Sequence, residues 1–143
     1  RNNVEKIKAT ITECKVAKMK PIVVSELYTV TPVVVTIYKR LYWTTSETTT
    51  EDLKQRLENN LCKKLGITEH VSFIDVIVQK NDKPIKTTVT DFNYIGNKFS
   101  IKIKQDFESQ KLANYALALG LGEHTKRGFG FCISSNVTKG EIR

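Results

Sequence analysis

Leucine recurs every four residues, at Leu53, Leu57, Leu61 and Leu65, and Gly66 follows the last of them. That spacing lines the four side chains along one stripe of an α-helix, with Glu51, Lys54, Glu58 and Lys64 off the stripe. Thr49, three residues before Asp52, makes a capping-box-like start with Asp in place of Glu. Gly66 stands where a left-handed C-cap wants glycine. The pattern predicts a helix over residues 51–65. A single amphipathic helix has to bury its stripe against another layer, and the sequence on both sides has the period of strands.

Upstream, Ile7, Ala9 and Ile11 alternate with Lys8, Thr10 and Thr12, which predicts a strand over residues 4–14. After Pro21, residues 22–38 are rich in Val, Ile, Thr and Tyr, the residues of pleated surfaces. Pro32 marks an edge, a strand start or a bulge within them. Downstream, residues 71–80 and 85–90 read as strands around the turn signal Asn81-Asp82-Lys83-Pro84. Phe99, Ile101 and Ile103 alternate with Lys98, Ser100, Lys102 and Lys104, which predicts a strand with a lysine face. Asp106 can cap a second helix over residues 107–119, with Leu112, Tyr115, Ala116 and Leu119 as its apolar side and Gly120 at its end. Phe129, Phe131 and Ile133 alternate in a last strand, with both phenylalanines expected to face the core. Residues after Ser135 read as a polar tail. The order is β-α-β-β-α-β, an α+β ferredoxin-like domain with an antiparallel sheet and an added N-terminal strand or hairpin. That architecture hosts many functions and names none.

Composition narrows the classes. The 143 residues suit one domain. No apolar run approaches the ~20 residues of a membrane span. Twenty-three Lys and Arg against 15 Asp and Glu give a net charge of +8. The first 45 residues are net basic, residues 46–91 are close to neutral, and residues 92–143 are basic again. Such a balance favours nucleic acid, an acidic membrane surface or an acidic partner. Cys14, Cys62 and Cys132 show no C-x-x-C spacing, and His70 and His124 are far apart. No metal site or cofactor is expected from them, and the thiols read as buried and free in a reducing cytoplasm. Arg1 opens a polar segment with no apolar core, so no signal peptide is read there and a cytoplasmic location is expected. The absence of an initiator methionine predicts that these residues are part of a longer chain.

Four of the seven glycines fall in Gly120-Leu121-Gly122-Glu123-His124-Thr125-Lys126-Arg127-Gly128-Phe129-Gly130. Two phosphate-binding patterns fail here. Gly122 and Gly128 are one residue too far apart for G-x-x-x-x-G-K-[ST], and Phe129 stands where its lysine should be. Thr125 stands at the third glycine of G-x-G-x-x-G, and the segment follows a helix rather than a strand. Arg127 to Phe131 match the first five positions of the RNP1 motif of RNA-recognition modules. In such modules a helix and a strand still follow the motif, and too few residues remain here for both.

The segment resembles the C-terminal glycine-rich loop of RAMP proteins, above all the CRISPR precursor-RNA endoribonuclease, the "Cas six" family. That loop reads G-h-G, five residues, G-h-G, with h apolar and basic residues inside, and it joins the last helix to the last strand. Thr31-Pro32-Val33 is similar to the family's Ser-Pro-Val-type strand start, and the helix end Asn59-Asn60-Leu61-Cys62-Lys63-Lys64 to its N-L-x-x-K helix. The resemblance implies that the chain is the second of two ferredoxin-like domains. It implies an enzyme that cleaves precursor CRISPR RNA within repeats without metal. The 2′-hydroxyl attacks in line and leaves a 2′,3′-cyclic phosphate and a 5′-hydroxyl. It implies RNA contacts from Gly120, Gly122, His124, Thr125, Lys126, Arg127, Gly128 and Gly130, and a homodimer or a CRISPR effector complex as assembly. The family's catalytic base, commonly a histidine of the first domain, has no match here, so the catalytic residues are unassigned. Two other readings stand beside this one: a non-catalytic RNA-binding protein, either a RAMP subunit or an RNA-recognition module, and a ferredoxin-like domain with no RNA role.

Overall fold

The computed structural model describes residues 21–39 and 41–134. In chain order the elements are β1 (Glu26–Thr29), β2 (Thr36–Tyr38), β3 (Leu41–Tyr42), α1 (Thr50–Lys64), β4 (Ile74–Gln79), β5 (Ile85–Val89), β6 (Phe92–Gly96), β7 (Phe99–Ile103), α2 (Phe107–Leu119), a 3-10 turn (Thr125–Arg127) and β8 (Cys132–Ser134). The strand expected over residues 4–14 and the polar tail lie outside the described residues, as does Cys14.

Both helices start and stop on local chemistry. The Thr49 side chain accepts the amide of Asp52, and the Asp106 carboxylate accepts that of Ser109. At the end of α1, Gly66 adopts φ +73, its amide donates to Lys63 O and that of Ile67 to Cys62 O, a Schellman closure. Leu53, Leu57 and Leu61 are no more than 1% exposed. Each such side chain contributes about 1.5–3 kcal/mol of burial.

Strands β4-β7-β1-β8 form an antiparallel sheet in that order. This is the ferredoxin-like order: the two strands that flank the first helix are separated by the one that precedes the second. Both helices cover the same face. Leu27, Ile74, Phe99, Ile101, Ile103 and Cys132 pack there with the leucines of α1 and with Leu112, Ala113 and Ala116 of α2. Two hairpins are inserted, β2–β3 between β1 and α1, and β5–β6 between β4 and β7. The strand β6 escaped the sequence reading. Its signal was the aromatic run Phe92-Asn93-Tyr94 directly after Thr90-Asp91, a two-residue hairpin link.

Two side-chain expectations are corrected. Phe131 is 51% exposed while Phe129 is buried. Gly130, at φ +70, breaks the extended backbone between them, so Cys132 and Ser134, rather than Phe131 and Ile133, turn inward. The alternation expected for β7 holds, with Phe99, Ile101 and Ile103 buried and Ser100 and Lys102 on the other face, beside Val76, Val78, Glu26 and Tyr28 of the neighbouring strands. Glu58, placed off the leucine stripe, is nonetheless 1% exposed. Its carboxylate accepts from Ile74 N (3.0 Å), Ser72 Oγ (3.1 Å) and His70 Nε2 (3.0 Å), and so ties residues 70–74 to α1.

Candidate functional site

The loop between α2 and β8 turns back on itself, and its amides mostly bond within the protein. Leu121 N donates to Gly130 O (2.9 Å), Gly130 N to Pro32 O (2.8 Å) and Glu123 N to Val34 O (2.8 Å). A Cβ on Gly130 would lie 1.8 Å from the oxygen of Leu121, so only glycine lets the two ends of the loop touch. Gly120 and Gly122 are buried beside it. Gly128 differs: it is exposed at φ +98 with nothing within 4 Å of a built Cβ. Of the eight residues expected at the site, Gly120, Gly122 and Gly130 therefore form the interior of the loop. His124, Lys126, Arg127 and Gly128 form its exposed crest, with Thr125 half-buried between them.

Three stretches that are remote in sequence meet at this loop. Thr31 Oγ1 donates to Gly128 O (2.6 Å) and accepts the amide of Phe131 (2.9 Å). Pro32 supplies the carbonyl for Gly130. Lys64 Nζ donates to Gly122 O at 2.7 Å. Burial lowers the Lys64 ammonium to about 8, and burial also pushes the neighbouring Cys132 thiol up to about 12. Such a thiol is inert, so Cys132 is a packing residue. The Thr-Pro-Val and N-L-x-x-K stretches are thus two of the loop's supports.

A third support was not visible in the sequence. The Tyr94 ring of β6 lies 4.8 Å from that of His124 and 5.1 Å from that of Phe129, with Tyr42 at 6.2 Å. His124, left-handed at φ 59, rests on this buried tyrosine and fixes the height of the crest. Among the described residues, Lys126 and Arg127 have no ion-pair partner. Two such cations on an exposed turn suit a phosphate backbone. Of the two aromatics in the RNP1-like stretch, Phe129 is buried against Tyr94 and is closed to base stacking, while Phe131 is exposed. Among the described residues, no three His, Cys, Asp or Glu side chains come together as a metal site.

The family model described as "CRISPR associated protein Cas6, C-terminal" matches residues 7–133. A solved structure titled "CRISPR associated protein Cas6" superposes with a TM-score of 0.61 at 17% identity, over 81% of this chain and 50% of that one. Another, titled "An RAMP protein binding different RNA substrates", gives 0.58 at 20% identity, again over 81% and 50%. The chain spans about half the length of these structures, and at such identity they show the fold alone. No curated protein matches the chain.

Proposed function

The chain belongs to the family of the C-terminal region of CRISPR-associated Cas6 proteins, and on that premise we propose that it holds single-stranded RNA at the crest formed by His124, Thr125, Lys126, Arg127 and Gly128. The observation that carries the reading is the convergence of residues 31–34, Lys64 and Tyr94 on the one loop that presents Lys126 and Arg127, neither of them ion-paired among the described residues. The RNA is precursor CRISPR RNA, bound within a repeat, and the chain serves a longer endoribonuclease that cuts without a metal ion. This region's part is to hold the strand, and the catalytic base lies elsewhere. Gly120, Gly122 and Gly130 act indirectly, by letting the loop fold tightly enough to lift the crest.

The test is a titration of single-stranded RNA at several salt concentrations with Lys126→Ala/Arg127→Ala. Two lost phosphate contacts lower the salt slope by about 1.4 units, at about 0.7 per contact on a single strand. Affinity falls nearly uniformly across RNA sequences, and the thermal midpoint barely moves, since exposed loop changes cost no more than about 0.5 kcal/mol. An unchanged slope would remove the crest from the RNA path.

A further inference from the structure

A cleft of about 260 Å³ opens beside the loop, between α1 and residues 36 and 123. Its α1 wall is the row Arg56, Asn59, Asn60 and Lys63, an i, i+3, i+4, i+7 set and therefore one face of the helix. Thr36 and Glu123 close the other side. Glu123 is engaged, since its two carboxylate oxygens accept from Thr36 N (2.6 Å) and Thr36 Oγ1 (2.7 Å). Arg56 Nε donates to Asp52 Oδ2 at 2.7 Å, which orients the guanidinium and leaves its remaining donors of five. Lys63 is exposed at the rim. Asn60 Oδ1 is buried with no hydrogen-bond partner among the described residues, a cost that a native interior rarely carries without reason.

We propose that this cleft is a subsite for one nucleotide of a single RNA strand, an inference that rests on the RNA-holding reading above. Arg56 and Lys63 take its flanking phosphates, and the Asn60 carboxamide meets the base edge together with the Nδ2 of Asn59, whose Oδ1 is bonded to His70 Nδ1. Cations that position a backbone and carboxamides that read a base are the division of labour of nucleic-acid sites. The volume is below the roughly 300–1,000 Å³ of sites for drug-sized ligands, which suits a single base. Continuity also supports it. Glu123 belongs to the same loop as the crest, and Lys64, next to Lys63, is bonded to Gly122. The loop that carries Lys126 and Arg127 thus also supplies one wall of the cleft, through Glu123.

The experiment compares Arg56→Gln/Lys63→Gln with Lys126→Ala/Arg127→Ala and with a charge-matched control, Lys83→Gln/Lys111→Gln, by titrating one single-stranded RNA at several salt concentrations. The cleft variant is expected to lower the salt slope by about 1.4 units while the control leaves it unchanged. In the unsubstituted chain, the side-chain amide signals of Asn59 and Asn60 are expected to shift when the same RNA is added. If the crest variant lowers the slope and the cleft variant does not, the subsite is overturned and the RNA-holding reading stands. A control that lowers the slope as much as the cleft variant overturns the subsite too, because bulk charge then explains both. If the unsubstituted chain binds no RNA, the subsite and the reading fall together.

Discussion

Gly128 and Gly130 are two residues apart, share a positive φ, and occupy opposite environments. At Gly130 an added Cβ meets backbone at 1.8 Å, which no side-chain movement can relieve. Gly130→Ala is therefore expected to leave no cooperative unfolding transition in urea. Gly128→Ala meets open space and carries only the left-handed backbone cost, about 1–2 kcal/mol on the same measurement. Lys64 carries a pH signature. Its proton leaves at about 8 in the folded chain and at 10.5 in the unfolded one. Between those values the unfolded chain binds more protons, so this residue makes stability rise with pH across the window. Below pH 8 its desolvation cost is present in full. Stability curves of the unsubstituted chain and Lys64→Met, taken from pH 7 to 11, should converge or diverge only inside that window, with the unsubstituted chain gaining relative to the variant as pH rises.

The first helix is the element that both supports the core and supplies the site. Its leucine side enters the core, its Arg56–Lys63 row lines the cleft, and Lys64 reaches the glycine loop. A fourth direction is occupied by Glu58, whose carboxylate replaces water for Ile74 N, Ser72 and His70. Glu58→Ala removes all three acceptor contacts and leaves a buried amide without a partner, so a loss of about 3 kcal/mol is expected from denaturant titration. Glu58→Gln keeps an acceptor oxygen and should lose less. Equal losses in the two variants would show that packing, rather than hydrogen bonding, holds residues 70–74 to the helix.

At the scale of the whole molecule, the sheet order brings β1 next to β8, and with them the Thr31-Pro32 turn against the loop that precedes β8. No helix among the described residues is long and apolar enough to cross a membrane. The imidazole of His124 lies on Tyr94, and no side chain is hydrogen-bonded to it among the described residues, so nothing there orients it as a base. On the proposed reading that the catalytic base lies elsewhere, residues 1–143 are expected to bind RNA and leave it uncut in an assay that resolves 2′,3′-cyclic phosphate ends, with chelator present or absent. Efficient cutting by these residues alone would place the base within them, with His124 as the first position to replace.

The helices and the main sheet strands were legible because their signals are local. A leucine every fourth residue, Thr49 and Asp106 as caps, Gly66 after the last turn and the Phe99-Ile101-Ile103 alternation each act through neighbours a few residues away. The order of these elements was enough for the ferredoxin-like architecture, and the spacing of the glycines pointed to the loop. What tertiary structure alone decided was which glycines are interior and which stands at the crest. It also decided that Lys64 and Thr31 support the loop, that Glu58 is buried, and that Tyr94 lies under His124. Most of these depend on contacts between residues far apart in the chain, such as Glu58 with Ser72, 14 positions away, and Thr31 with Gly128, 97 positions away. Hydrophobic period and cap chemistry carry no information about such pairs, because their energy exists only once the sheet has set the register and brought them together.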